Sequence, residues 1–215
     1  MKYYYPLNLP FPLTKNTTLD VLNETVKWYG LTHTNLEEIL SPELMEKFSH
    51  LGVKPTQALI IGLPTVSSGK TLVHTDITLV DNKWVKIPCG INWEITDSKA
   101  SWRWLDVKNS QEFYPEQDSG YYEYPRGLNG SIHYNQRYKS YSRDLYPDPY
   151  FDTYDVLETL TVNPTQCYLV RTEVPHSIEF ESQKSNRIGI SVRFDTSQIS
   201  SWDQAVEIFK PIIDL

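Results

Sequence analysis

Two periodicities divide the chain. Between residues 57 and 194 apolar positions recur every second residue in short runs, and on either side they recur at helical spacing. The period-two runs cover residues 57–63, 71–80, 84–95, 100–107, 156–162, 166–172, 176–181 and 187–194. They are rich in β-branched and aromatic residues and are bounded by Gly, Asn, Asp or Pro, which predicts about eight strands. Few helical patterns separate them, so an antiparallel sandwich or small barrel is expected over a parallel βαβ sheet.

Three segments predict helices. Leu19, Leu22, Val26 and Tyr29 share one face, with Thr18 placed as N-cap and Gly30 as a stop. Residues 32–52 predict two short helices or one bent one: Thr34 and Glu37 suit a capping box, Ser41-Pro42 restarts the helix, and Gly52 ends it. At the C-terminus Ser201 and Gln204 cap a helix that Pro211 limits. The organisation expected is one domain: a helical flank over 1–52, a β core over 57–194 and a C-terminal helix over 200–215.

Residues 109–154 break the pattern. They hold ten of the fifteen tyrosines, with Arg, Asp, Gly and Pro between them. A segment this long inside a compact domain usually serves function, and its aromatic content argues against disorder, so a partly ordered lid is expected.

Charge and composition narrow the classes. The net charge of -7 offers no broad basic surface for double-stranded nucleic acid. No run approaches the length of a membrane span, and the first residues lack the apolar core of a signal peptide, so a soluble cytoplasmic protein is expected. Cys89 and Cys167 lie in apolar strand runs and read as buried free thiols. Nothing in the pattern sets an oligomeric state.

Candidate chemistry begins in "SSGKTLVHTD", residues 67–76. A phosphate-binding loop fails on spacing, because Pro64 stands where its first glycine is needed and a strand follows where a helix should. On that strand His74 and Asp76 point to one face, while Val73, Ile77 and Leu79 point to the other and are expected to pack under the helices. One imidazole and one carboxylate on a strand make a start for a divalent metal site, though a structural hydrogen-bonded pair has the same spacing. His176 opens a later strand after Pro175, and Arg187 opens the next one eleven residues on. An arginine can hold a carboxylate through two parallel hydrogen bonds. Arg193, six residues beyond Arg187, shares its face if the strand has no bulge, as does Ser191. Asn92, Trp93 and Tyr168 are candidates to line a pocket or simply to pack; His33, His50 and His133 show no partner spacing.

His74-x-Asp76, the distal His176 and Arg187 followed by "IGISVRF" resemble the Fe(II)/2-oxoglutarate-dependent dioxygenases, with the closing run most similar to the aspartyl/asparaginyl and prolyl hydroxylase branches and to phage-encoded members. The resemblance covers roughly residues 57–194. It implies a mainly β fold, a double-stranded β-helix of the cupin-like jelly-roll type with flanking helices. It implies Fe(II) held by His74, Asp76 and His176, and 2-oxoglutarate as cosubstrate on Arg187, with Ser191 and Arg193 as further contacts. The implied reaction is hydroxylation of a small molecule, amino acid or peptide side chain, coupled to decarboxylation of 2-oxoglutarate to succinate. The alternative is a non-catalytic β-sandwich, a binding or phage structural module. Imidazole must be neutral to ligate, so metal binding is expected to weaken below about pH 6.

Overall fold

The computed structural model describes residues 2–14, 31–33, 36–63, 69–70, 73–81, 83–95, 100–107, 111–113, 130–135, 154–164, 166–180 and 187–214. The expected helix between Thr18 and Gly30, the cap at Thr34 and most of the tyrosine-rich segment lie outside these residues.

The protein is mainly β, with two antiparallel sheets. The first has six strands in the order β1 (Tyr4–Leu7), β12 (Cys167–Arg171), β7 (Cys89–Glu94), β14 (Arg187–Phe194), β3 (Pro55–Leu63) and β2 (Leu31–His33). The second runs β11 (Asp155–Thr161), β8 (Ala100–Asp106), β13 (His176–Phe180), β5 (His74–Val80), β10 (Gly130–Asn135) and β9 (Gln111–Phe113). Two short strands join it, β4 (Gly69–Lys70) on β13 and β6 (Lys83–Lys86) on β5. The eight predicted runs all contribute strands. They pair in nested order, β3 with β14, β5 with β13, β7 with β12 and β8 with β11.

Among the described residues, helices cover the outer face of the six-stranded sheet and not the eight-stranded one. Helix α1 (Leu36–Ile39), α2 (Pro42–His50) and α3 (Trp202–Phe209, continued as a 3₁₀ turn to Ile212) pack there. The caps read from sequence form: the Ser41 hydroxyl accepts from Leu44 N–H, and Ser201 accepts from Gln204 N–H. Leu44, Phe48, Trp202 and Phe209 meet Ile91, Leu169, Ile190 and Val192 in the main core. A second core, Trp102, Trp104, Ile178, Tyr168 and Val170, lies between the sheets. Val73 and Ile77 are buried with Leu105 and Tyr154 on the far face of the eight-stranded sheet, and Leu79 is exposed. These side chains therefore do not pack under the helices as the sequence suggested. The helices satisfy the other sheet, and a sheet needs its second face covered by something else.

Three further differences have local causes. β1 was not expected, because its Tyr-Tyr-Pro-Leu run is short and carries a proline; as an edge strand it tolerates Pro6. Residues 31–33 form an edge strand that takes in Thr32 and His33, the start of the segment read as helical. Within the tyrosine-rich segment, β10 and β9 extend the sheet beside β5. Cys89 and Cys167 are buried free thiols, and burial pushes the Cys89 thiol up to about 12. No helix of the described residues is long and apolar enough to cross a membrane.

Candidate metal centre

β14 and β7 lay a polar stripe on the inner face of the six-stranded sheet. Alternation does this: Ile188, Ile190, Val192 and Phe194 face the helices, so Arg187, Gly189, Ser191 and Arg193 face the other sheet. The strand runs unbulged from Arg187 to Arg193, which keeps both arginines on one face. In register, Ser191 stands opposite Asn92 and Gly189 opposite Glu94.

Facing this stripe, β5 and β13 bring the predicted ligands together. His176 and His74 are register partners. One ligating atom from each of His74, Asp76 and His176 lies within 4.8 Å of the others, so the three could hold a metal ion. The imidazoles stand 4.5 Å apart between centroids, and His74 Nε2 is 3.7 Å from Asp76 Oδ1. His176 Nδ1 lies 2.9 Å from the Val174 carbonyl. A carbonyl only accepts, so the proton sits on Nδ1 and Nε2 keeps its lone pair for a ligand. Among the described residues this is the one group of three or more His, Cys, Asp or Glu close enough to share an ion.

Electrostatics suit the same use. Burial, the largest single influence, would raise the Asp76 carboxyl, but the Arg193 guanidinium, which donates to Asp76 Oδ2, together with His176 and His74 outweighs it and holds the carboxyl below its usual value. Burial, with His74 alongside, pushes His176 down to about 3 against the pull of Asp76. His176 is thus neutral far below pH 6 and has no proton to lose before it ligates, which removes it as a cause of the acid weakening expected from sequence.

Comparison with protein-family models finds no match, and neither does comparison with curated proteins.

Each predicted residue has a place in the geometry of the site. Arg187 is buried and donates to Glu94 at 2.6 Å; its Nε and Nη1 have no hydrogen-bond partner. Arg193 is paired with the proposed ligand Asp76, and its Nη1 is likewise unpartnered. Ser191 Oγ and Asn92 Nδ2, between the two arginines, also lack partners. Buried polar groups are nearly always satisfied, so four such side chains on one stripe mark a seat for something polar. Asn92 and Tyr168 line the small cavity beside Arg187, of about 20 Å³, and Tyr168 Oη accepts from Asn163 N–H. Trp93 sits in the apolar core under the helices. Arg193 walls a larger cavity of about 230 Å³ with Gln57, Thr78 and Ile87.

Sequence reasoning missed three participants. Glu94 was visible as the lone acidic residue in an apolar run, and a buried carboxylate needs a partner. Gly90 sits under the Arg193 guanidinium: a Cβ there would lie 1.6 Å from Nη1. Trp102 stacks on His176 with centroids 5.1 Å apart. His133 was set aside, yet the β10 backbone brings it into register opposite His74.

Proposed function

We propose that the protein is an Fe(II)- and 2-oxoglutarate-dependent oxygenase built on a jelly-roll double-stranded β-helix. The nested pairing of eight strands supports the fold reading, because a long antiparallel hairpin rolled onto itself pairs first with last and fourth with fifth. The observation that carries the function is the convergence of His74, Asp76 and His176 from β5 and β13 at the edge of a stripe of unsatisfied donors.

The donor set fits the group. Two imidazoles and one carboxylate are the ligands of non-haem Fe(II) sites that keep open positions. When bound, the iron supplies the oxidative chemistry that no protein side chain has. The chain's own residues do the rest. Arg193 holds Asp76 by Oδ2, orienting the carboxylate beside His74. The Val174 carbonyl fixes the His176 tautomer. The free donors of Arg187, Ser191 and Asn92 suit the carboxylate of a cosubstrate. The space beside Arg187 holds about one water, so a dicarboxylate needs the sheets to part there. The cavity walled by Arg193, the ion-pair partner of Asp76, has room for a small polar or peptide substrate, although no triad residue lines it.

The test is anaerobic loading with Fe(II) and 2-oxoglutarate followed by admission of oxygen. Succinate should form in proportion to bound iron and be lost in His176→Ala. Iron binding without succinate would leave a metal-binding β module; no iron binding would remove the metal centre.

A further inference from the structure

A line of aromatic rings leads away from the triad. Trp102 stacks on the His176 imidazole with planes 17° from parallel. Trp104 follows, 6.1 Å on between centroids. Tyr3 and Tyr4 stack on Trp104 at 5.6 Å and 5.9 Å. The two indoles are buried, and the two tyrosines are half-buried, Tyr4 opening the edge strand β1 and Tyr3 just before it. The buried His176 end of the triad is thereby joined to the protein surface.

Packing accounts for aromatic rings but does not require these types or this order. The indoles lie inside, and the Trp104 Nε1–H donates to the Arg171 carbonyl at 2.8 Å, which accepts a hydrogen bond but does not take the proton of an oxidised ring. Phenols lie at the outer end, where water can take the proton that an oxidised phenol releases. The column thus runs from rings that can hold a positive charge to rings that can shed it. The Lys2 ammonium lies 4.6 Å over the Tyr5 ring and 5.9 Å over Tyr4. A cation over a ring opposes loss of an electron from it, which makes Tyr3 the better terminus.

We infer that the Trp102–Trp104–Tyr3 column carries oxidising equivalents from the triad to the protein surface, sparing the ligands when no substrate is bound. The inference rests on the metal-centre reading above. Its oxidant is dioxygen or a peroxide reacting at the loaded triad. Trp102 gives one electron to the centre, Trp104 refills Trp102, and Tyr3 refills Trp104 while its phenol proton passes to water. A small-molecule thiol returns one electron and one proton to the tyrosyl radical.

The test loads the whole protein with Fe(II) and adds hydrogen peroxide without 2-oxoglutarate, then follows radicals by freeze-quench electron paramagnetic resonance and oxidised residues by peptide mass spectrometry. A tyrosyl signal and oxidation at Tyr3 are expected. In Trp104→Phe, Tyr3 oxidation should fall several-fold while Trp102 oxidation rises. Tyr3→Phe, at a half-buried position that does not endanger folding, should move oxidation back to Trp104 and Trp102. Exposed Phe11 gauges diffusing oxidant and should not change. Tyr3 oxidation that is unaltered by Trp104→Phe, or equal with and without iron, overturns the inference. So does oxidation in the parent that stops at His176 and Trp102. Succinate assayed separately, with oxygen and 2-oxoglutarate, keeps the two readings apart: absent succinate with the Tyr3 pattern intact sinks the oxygenase alone.

Discussion

The two faces of β14 are made from alternate residues of one strand, and all eight residues are buried. Toward the helices stand Ile188, Ile190, Val192 and Phe194, packed among other apolar side chains. Toward the second sheet stand Arg187, Gly189, Ser191 and Arg193, with unsatisfied donors on three of the four. Burial is equal, so burial does not distinguish core from site. What differs is satisfaction: one face has everything its chemistry asks for, and the other holds groups that cost free energy while they stay unpartnered. Stability and function should therefore separate by parity along this strand.

The largest test of that separation is the buried pair of Arg187 and Glu94. Both side chains are almost wholly inaccessible, at 5% and 1%. Glu94→Ala strands a guanidinium and should cost about 3–5 kcal/mol of unfolding free energy. The double variant Arg187→Met with Glu94→Leu should recover most of that loss, because removing both charges removes the desolvation cost. It should nevertheless fail to bind 2-oxoglutarate. Denaturant midpoints and calorimetric titration read the two effects. A double variant as unstable as Glu94→Ala would mean the pair is structural, and the contrast between faces would fail.

The opposite face gives the complementary result. Ile190 is 1% exposed in the core under the helices. Ile190→Ala should cost about 2–5 kcal/mol through lost burial and the cavity left behind. Metal affinity in the still-folded fraction should be unchanged, measured with Mn(II) below the unfolding transition. A parallel loss of affinity would show that the faces are coupled through the strand.

Parity also explains what the sequence disclosed. The strand runs and the His74-x-Asp76 face were legible because alternation is a local signal. So was His176, fixed at a strand start behind Pro175. The pairing of Arg193 with Asp76 was not legible. It crosses from one sheet to the other over 117 residues, and nothing local in either run fixes which side chains meet. β10 was hidden for a different reason: its Gly-Ser-Ile-His-Tyr-Asn run lies in a tyrosine-rich segment whose composition reads as loop. The helices within 36–50 and at Trp202–Phe209 were read in place, but which sheet they cover depends on which face is apolar on both sides, a non-local property.

Gly90 sharpens the comparison on the polar side with a smaller change. A Cβ at this position would meet Arg193 Nη1 at 1.6 Å and Cζ at 2.7 Å, so the guanidinium must shift, and its hydrogen bond to Asp76 should be lost. Gly90→Ala should cost about 1–3 kcal/mol in stability from overpacking. Its effect on the metal should be larger in proportion, about 10–100-fold in affinity, because the partner that orients Asp76 is displaced. Arg193→Ala in the Gly90→Ala background should give no further loss of affinity. A further loss would mean that Arg193 still reaches Asp76 with the methyl present.

The smallest effect is a slope. In the metal-free fold His176 takes a proton only near pH 3, whereas in the unfolded chain it does so near its ordinary value of 6.5. Between these values unfolding takes up a proton, so stability falls as pH falls, by about 1.4 kcal/mol per pH unit at most from this residue. Asp76 acts in a lower window. Its carboxyl is held below the usual value, so its contribution is present above about pH 4 and is lost only as pH drops through the folded value. Urea midpoints at pH 6.5, 5.5 and 4.5, with a chelator present, isolate the histidine. His176→Gln keeps a neutral polar side chain on the same face and cannot titrate, so its profile should be flatter than the parent's over this range. Equal slopes in the two proteins would mean that His176 charges in the folded state, and that the pocket is open enough to water for the inner face of β13 to behave as surface.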